Sequence, residues 1–330
     1  MLALTEEQTM VRAAARDFVS GRSSLKRARA GGFDRGFWRE MARLGWLDAL
    51  GAIERMLVCE ELGRGLVPES LVPALLGAAA LGQDDIGERL VALAYLEPGA
   101  RFDPTRVETH ESGGRLHGRK VFVLGGASAD AYVVSATGGL FRVAAGAPGL
   151  TVEPLQLLDG RDAAQLTLDS TPGERLEGGA ARLARVLDRG AIALAAEMVG
   201  SMEAAFQMTL AYLKSRVQFG VAIGSFQALQ HRAAKLFVEI ELARSAVWRA
   251  SALLDEGADD ATVARAASVA KAKCSDAFLL VAHEAIQMHG GIGMTDEHDI
   301  GLFLKRARVA EMTLGDARYH RDRFARLQGF

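Results

Sequence analysis

Apolar residues recur at helical spacing from residue 1 to about residue 90. Met10, Val11, Ala14 and Phe18 form one stripe behind the helix-start signal Thr5-Glu6-Glu7-Gln8. Phe37, Met41 and Leu44 form a second, which Gly45 ends, and Ile53–Leu62 a third, closed by Gly63-Arg64-Gly65. From about Val91 the period changes. Val91–Leu96, Lys120–Leu124, Ala131–Val134 and Ala164–Leu168 are short apolar or alternating runs separated by Gly, Pro, Asp and Ser, which predicts a small antiparallel barrel or sandwich. That region closes near Gly178-Gly179. Long helical patterns then cover Ala180–Lys214, Phe226–Glu256, Asp260–His289 (capped by Asp259 or Asp260) and His298–Leu314, with a short tail helix after them. Four long helices joined by short turns predict a bundle. The expected fold is therefore α+β and multidomain: a helical domain over 1–90, a middle antiparallel β domain over 91–178 and a C-terminal four-helix bundle over 179–330.

Composition narrows the possible chemistry. The chain has 330 residues, ample for a large core. Its 39 basic and 41 acidic side chains leave a net charge of -2, which gives no basis for nucleic-acid binding. The hydrophobic fraction of 49% is ordinary for a globular chain. No apolar run reaches the roughly 18 residues of a membrane span. The early acidic, amphipathic start does not read as a signal peptide. Cys59 and Cys274 sit in helical patterns without metal spacing, so free buried thiols and a cytoplasmic location are expected.

The chemistry concentrates in Lys214–Gln230, K-S-R-V-Q-F-G-V-A-I-G-S-F-Q-A-L-Q, read as a tight turn between two helices. It carries a planar cation (Arg216), two amides (Gln218 and Gln227) and an aromatic plate (Phe219). A guanidinium fork suits phosphate, and Gly220 and Gly224 permit a sharp turn and close backbone approach. Ser225 is the expected N-cap of a helix starting at Phe226, which puts Gln227 in its first turn, where amide donors favour anions. The competing reading is an ordinary connection bearing a solvated arginine.

This stretch resembles the Arg-x-x-Phe-Gly…Phe-Gln-x-x-Gln signature of the acyl-CoA dehydrogenase family. Glu284–Gly293, E-A-I-Q-M-H-G-G-I-G, resembles a second family motif, and Lys120–Asp130, K-V-F-V-L-G-G-A-S-A-D, a third and weaker one. The resemblance implies a helix–β–helix architecture. It also implies FAD as cofactor and an acyl-CoA thioester as substrate. In the family a carboxylate takes the α proton, donors polarise the thioester oxygen, and the flavin accepts the β hydride.

Carried over residue by residue, the resemblance splits. Its dinucleotide half is complete: Arg216, Gln218, Phe219, Gln227, Gln287, Gly290 and Gly291 match the positions that hold the pyrophosphate and adenosine of a neighbouring subunit's FAD. The catalytic half is not. The usual base position falls on Leu314, before Gly315, and the alternative family position falls near Gly190. The nearest acids are Asp188, Glu311 and Asp316, whose default reading is solvated surface charge. Leu96, Phe102, Phe122 and Leu124 replace the polar residues and the Trp of the flavin-ring side, and the loop before the third helix is cut to L-D-A-L-G-A. His289, inside the second motif, reads as a packing or capping residue.

The pattern resembles the shortened subunit of heteromeric bacterial acyl-CoA dehydrogenases that act on steroid side-chain thioesters. It implies a second acyl-CoA dehydrogenase-type subunit in a heterotetramer and no catalytic base on this chain. Two alternatives stand beside it: an autonomous homomeric dehydrogenase or oxidase with a relocated acid, and a non-redox scaffold of the same fold.

Overall fold

The computed structural model describes residues 4–22, 25–47, 50–82 and 89–330. Asp48 and Ala49 of the shortened L-D-A-L-G-A stretch lie outside the described residues. In chain order the elements are α1 (Glu6–Arg22), α2 (Leu25–Ala30), α3 (Arg35–Arg43), α4 (Ala52–Arg64), α5 (Val72–Leu81), β1 (Val91–Ala94), β2 (His110–Ser112), β3 (Arg115–Leu124), β4 (Ala131–Ala136), β5 (Gly139–Ala144), β6 (Leu150–Gln156), β7 (Asp162–Pro172), β8 (Glu174–Leu176), α6 (Gly179–Ser215), β9 (Val217–Gln218), β10 (Val221–Ala222), α7 (Gln227–Asp255), α8 (Asp260–His289), α9 (Ile300–Met312) and α10 (Ala317–Leu327). The helical start, β middle and helical bundle follow in the order that the sequence predicts.

The described residues form two compact units. One comprises Gly31–Leu50 and Pro68–Gly190. Its strands make two four-stranded sheets, ordered β1-β4-β5-β8 and β2-β3-β7-β6. Inward residues of both sheets share one core that includes Ala92, Leu116, Tyr132, Phe141 and Leu166. Pairing is antiparallel except between β1 and β4, which run parallel with Val91 beside Ala131. Nothing in the sequence marks that exception: all four residues of β1 are buried and apolar, so no alternation betrays its neighbours. β3 is bulged between Lys120 and Val123, where Phe122 takes a positive φ of 51°.

The other unit comprises Met1–Ala30, Gly51–Val67 and Ala191–Phe330. There α7, α8, α9 and α10 pack together, α1 lies on α4, and α4 on α7. Glycines bring α4 and α6 into close contact. A Cβ on Gly63 would lie 2.0 Å from the Glu197 carbonyl oxygen, and one on Gly200 would lie 1.7 Å from that of Glu60. Arg306 of α9 is buried beside this crossing. It donates to Glu197 Oε1 at 3.1 Å and to the Leu66 carbonyl at 3.1 Å.

Two boundaries differ from expectation. α7 begins at Gln227 with Phe226 as N-cap and no side-chain cap; Ser225 instead donates its hydroxyl to the Ala222 carbonyl at 2.7 Å inside a 3-10 turn. α9 is shorter than His298–Leu314, because His298 accepts from the Ile300 N–H at 3.1 Å and Leu314 adopts a left-handed φ of 58°. At the α8 start the choice resolves to Asp259, which accepts from the Thr262 N–H at 2.9 Å. Cys59 and Cys274 are free and buried. Among the described residues no helix is long and apolar enough to cross a membrane.

Candidate functional site

The Arg216 segment is more ordered than a plain helix connection. The Arg216 N–H donates to the Tyr212 carbonyl at 2.8 Å, extending the α6 ladder by one bond. The chain then turns back as the β9–β10 hairpin, with Gln218 opposite Val221 and Phe219-Gly220 at its tip. Both tip residues have positive φ, 53° and 79°, the signature of a two-residue type I′ turn. Holding a phenylalanine there is strained, and its ring is 93% exposed. The hairpin closes where the Ile223 N–H donates to the Arg216 carbonyl at 2.8 Å, and Gln230 donates to the Gly224 carbonyl at 3.0 Å.

Arg216, Gln218, Phe219 and Gln227 are all exposed. Gln218 folds its amide onto the Val217 carbonyl at 2.8 Å, and Phe219 meets the edge of Phe226 at 6.2 Å. Among the described residues the Arg216 guanidinium and the Gln227 amide have no side-chain partner.

Gln287, Gly290 and Gly291 are likewise exposed, at the end of α8. Gly290 has φ 65° and ψ −142°, a backbone state essentially confined to glycine. A Cβ on Gly290 or Gly291 would meet nothing within 4 Å. Packing within the chain therefore does not exclude a side chain at Gly291; the bare backbone there is open to approach from outside. The two stretches are joined where α6 and α8 end: Tyr212 stacks on His289 with ring centroids 4.4 Å apart. His289 donates from Nδ1 to the Ala285 carbonyl at 2.7 Å, and burial holds its imidazole below the usual histidine range. The ring packs, as expected, but its partnership with Tyr212 was not legible from the sequence.

The donor set fits the pyrophosphate and adenosine half of a dinucleotide. Among the described residues it offers the Arg216 guanidinium and the Gln227 amide without side-chain partners, a presented aromatic face and uncovered glycine backbone.

The two positions that the resemblance assigns to the base, Leu314 and Gly190, carry no acid. Leu314 is 8% exposed in its left-handed turn, and Gly190 is a buried residue inside α6. A Cβ on the following Gly315 would lie 2.4 Å from Tyr319 Cδ1. The Leu314 carbonyl accepts from His320 Nε2 at 2.9 Å, and burial pushes His320 down to about 3, so this ring is neutral. The neighbouring acids have other employment. Asp316 caps α10 by accepting from the Tyr319 N–H at 2.7 Å, and Glu311 pairs with Arg308 at 3.2 Å. Asp188 is buried, 5% exposed, and so is not the solvated charge expected of it.

In the sheet-containing unit, Leu96, Phe102 and Leu124 are half-buried and Phe122 is 59% exposed on the β3 bulge. Their scaffold is polar and well satisfied. Lys120, fully buried, donates to Glu97 Oε1 at 2.5 Å and to Ser135 Oγ at 3.0 Å, and Glu97 also accepts from the Thr109 N–H at 3.0 Å. The strand framework is thus intact, while Leu96, Phe102, Phe122 and Leu124 are apolar. Among the described residues no cluster of His, Cys, Asp and Glu could hold a metal.

Comparison with known proteins agrees with this architecture. Residues 177–328 match the family described as acyl-CoA dehydrogenase, C-terminal domain, and residues 5–85 match acyl-CoA dehydrogenase, N-terminal domain. Acyl-CoA dehydrogenase IpdE2 of Mycobacterium tuberculosis is 33% identical over 331 residues, covering 95% of this chain and 94% of the relative. Among solved structures, the Tcur3481-Tcur3483 steroid ACAD (G363A variant) superposes with a TM-score of 0.89 at 32% identity, covering 98% of each chain. The ChsE4-ChsE5 complex of Mycobacterium tuberculosis superposes with a TM-score of 0.89 at 24% identity, covering 99% of this chain and 98% of that one, a likeness of fold.

Proposed function

This chain belongs to the acyl-CoA dehydrogenase family, and on that premise we propose that it is the base-lacking subunit of a heteromeric enzyme, completing a partner subunit's FAD site. The observation that carries the reading is the split itself. Every residue assigned to the FAD cradle is exposed, while the positions assigned to the base and to the ring side are apolar or glycine.

FAD is the cofactor, and when bound it supplies the hydride acceptor. Arg216 would hold its phosphate by ionic hydrogen bonds, with Gln227, Gln287 and the Gly290–Gly291 backbone as further donors and Phe219 and Gln218 at the adenosine. The α proton of the acyl-CoA is taken by the partner's carboxylate, since Leu314 has no proton acceptor. Division of labour follows the chain: 179–330 supplies the cradle and the subunit contacts, 91–178 the apolar ring-side face, and 1–90 the helical support. A steroid side-chain thioester is the favoured substrate, because the steroid ACAD Tcur3481-Tcur3483 matches this chain along nearly its whole length. An autonomous enzyme with a relocated acid is disfavoured by the cap and ion-pair roles of Asp316 and Glu311.

The test is Arg216→Ala in the chain co-purified with an acyl-CoA dehydrogenase-type subunit that has the base. Losing a charged hydrogen bond should weaken FAD retention by roughly one to two decades, from about 1.5–3 kcal/mol, with an unchanged circular dichroism spectrum. Full flavin content in the variant would remove the cofactor assignment.

A further inference from the structure

The two halves of the cradle are distant in sequence, yet one cluster of rings ties them together. Tyr212 lies in the last turn of α6, and its carbonyl accepts both from the Arg216 N–H at 2.8 Å and from Ser215 Oγ at 3.2 Å. Its ring stacks on His289 at 4.4 Å, with the planes 27° apart. His289 is the last residue of α8, directly before Gly290. On the far side of the following loop His298 closes back, its ring 4.5 Å from His289 and edge-on to Tyr212 at 6.2 Å. His298 also accepts, through Nδ1, from the Ile300 N–H at 3.1 Å, so it marks the entry to α9.

The loop between the two histidines opens as a 3-10 turn over Gly290–Met294, in which Gly293 packs against the Ile286 backbone of α8. Residues 290–292 and 294–297 are exposed, and only Gly293 is buried. Within it the Thr295 N–H and hydroxyl both turn onto the Ile292 carbonyl. An exposed pair between Arg29 and Asp296 at 3.4 Å, screened by solvent, adds a further tie. Stacked and tilted rings are favourable arrangements for aromatic pairs, so the meeting of His289 and His298 fixes the two ends of the segment that carries the Gly290–Gly291 backbone.

His289 also bears a local cost. With Nδ1–H donating to Ala285, its neutral ring presents Nε2 as an acceptor, and that atom is buried without a partner. An apolar side chain would fill the space without this penalty. The imidazole is nevertheless kept between two other rings, where its flat face serves both.

We propose that Tyr212, His289 and His298 form a ring clasp that positions the Gly290–Gly291 backbone relative to the Arg216 turn, and so sets FAD affinity by preorganising the cradle. The proposal rests on assigning that cradle to FAD. All three are positioning residues: they act through the backbone that would meet the phosphates. Preorganisation of this kind raises affinity by removing the ordering cost that binding would otherwise carry.

The experiment uses the full chain co-purified with its base-bearing subunit, in the variants Tyr212→Ala, Tyr212→Phe and His298→Asn. FAD retention on dilution is followed by flavin absorbance, and amide hydrogen exchange of 290–297 is measured on the same samples. Tyr212→Ala should weaken FAD retention by about three- to tenfold and speed exchange in 290–297, while Tyr212→Phe, which keeps the ring, restores both. His298→Asn keeps an acceptor for the Ile300 N–H but loses the ring, and should resemble Tyr212→Ala. Unchanged exchange and retention in Tyr212→Ala and His298→Asn would overturn the clasp, as would Tyr212→Phe failing like the alanine. Arg216→Ala in the same series separates the two ideas. Flavin lost there but kept in the ring variants removes the clasp alone. Flavin kept in Arg216→Ala removes the FAD assignment, and with it the proposed effect on affinity.

Discussion

The side-chain nitrogen of Lys271 donates to the Gly315 carbonyl at 2.7 Å, directly after Leu314, the residue proposed to stand in place of a catalytic base. Lys271 is fully buried and donates also to Ser275 Oγ at 3.0 Å and the Glu311 carbonyl at 3.1 Å. With His320 on the Leu314 carbonyl, it pins a turn whose backbone is strained. The turn is held in place although its side chain has no acid–base role.

Lys271 makes stability depend on pH in a defined direction. Burial pushes its amine down to about 7, whereas in the unfolded chain it titrates near 10.4. Between these values the unfolded chain binds more protons than the folded one, so this group's contribution to stability rises with pH. We expect the stability of the wild type relative to Lys271→Met to grow from pH 7 to pH 9, by up to about 1.4 kcal/mol per pH unit. Urea unfolding of both proteins at three pH values checks this; a flat or falling difference would contradict it.

Leu314→Glu tests whether restoring the acid restores the enzyme. The new carboxyl would occupy a position that is 8% exposed, beside a neutral His320. Burial should raise its pKa, and the fold should lose about 1–3 kcal/mol. With Leu96, Phe102, Phe122 and Leu124 unchanged, the purified single subunit should still fail to bleach flavin when given acyl-CoA. A homomer that dehydrogenates acyl-CoA would show that the ring-side positions had been misjudged.

Much of this was legible in the sequence, for identifiable reasons. The long helices announce themselves by period, and Arg216, Gln227 and Gln287 by placing polar groups beside glycines. Pairwise geometry was hidden. The parallel β1–β4 pairing leaves no trace in an all-apolar strand. The β9–β10 hairpin is too short and exposed for alternation to show, though Phe219-Gly220 is a tip signal once both positive φ values are known. Ser225 has the right chemistry for a cap, but the 3-10 turn takes its hydroxyl. The Tyr212–His289–His298 cluster joins three segments, and nothing local to any of them points to the others.

The buried Lys120–Glu97 pair should be a weak point of the sheet-containing unit. Burial pushes the Glu97 carboxyl up, but hydrogen bonds from Lys120 and from the Thr109 and Glu108 backbone outweigh it and hold it below the usual range. Its contribution is therefore present above the unfolded carboxylate value and is lost as pH falls through the folded one. Lys120→Met would strand a buried charge and should cost about 3–5 kcal/mol. The double variant Lys120→Met/Glu97→Gln should recover part of that loss. Thermal unfolding of the three proteins at pH 7 checks both statements, and equal melting temperatures would show the pair to be inert.

Stoichiometry follows from counting half-sites. In the family each FAD uses a ring-side pocket and an adenine-side cradle from different subunits. On the proposed assignment this chain presents an exposed cradle and an apolar ring-side face, so two copies of it should not make one complete site. A mixed pair makes one, from this chain's cradle and the partner's pocket, and the reciprocal site lacks its polar ring contacts. A two-plus-two assembly should thus bind about two FAD, the count that half-site sharing implies. The lone subunit should be colourless and associate through its apolar surface, since α7 exposes Phe237, Val238 and Leu242 and α8 exposes Val269 and Leu280. Native mass spectrometry with flavin absorbance, on the subunit alone and after co-expression with a base-bearing family member, measures both. Four FAD per tetramer, or a stable yellow homomer, would refute the division of the site between two unlike chains.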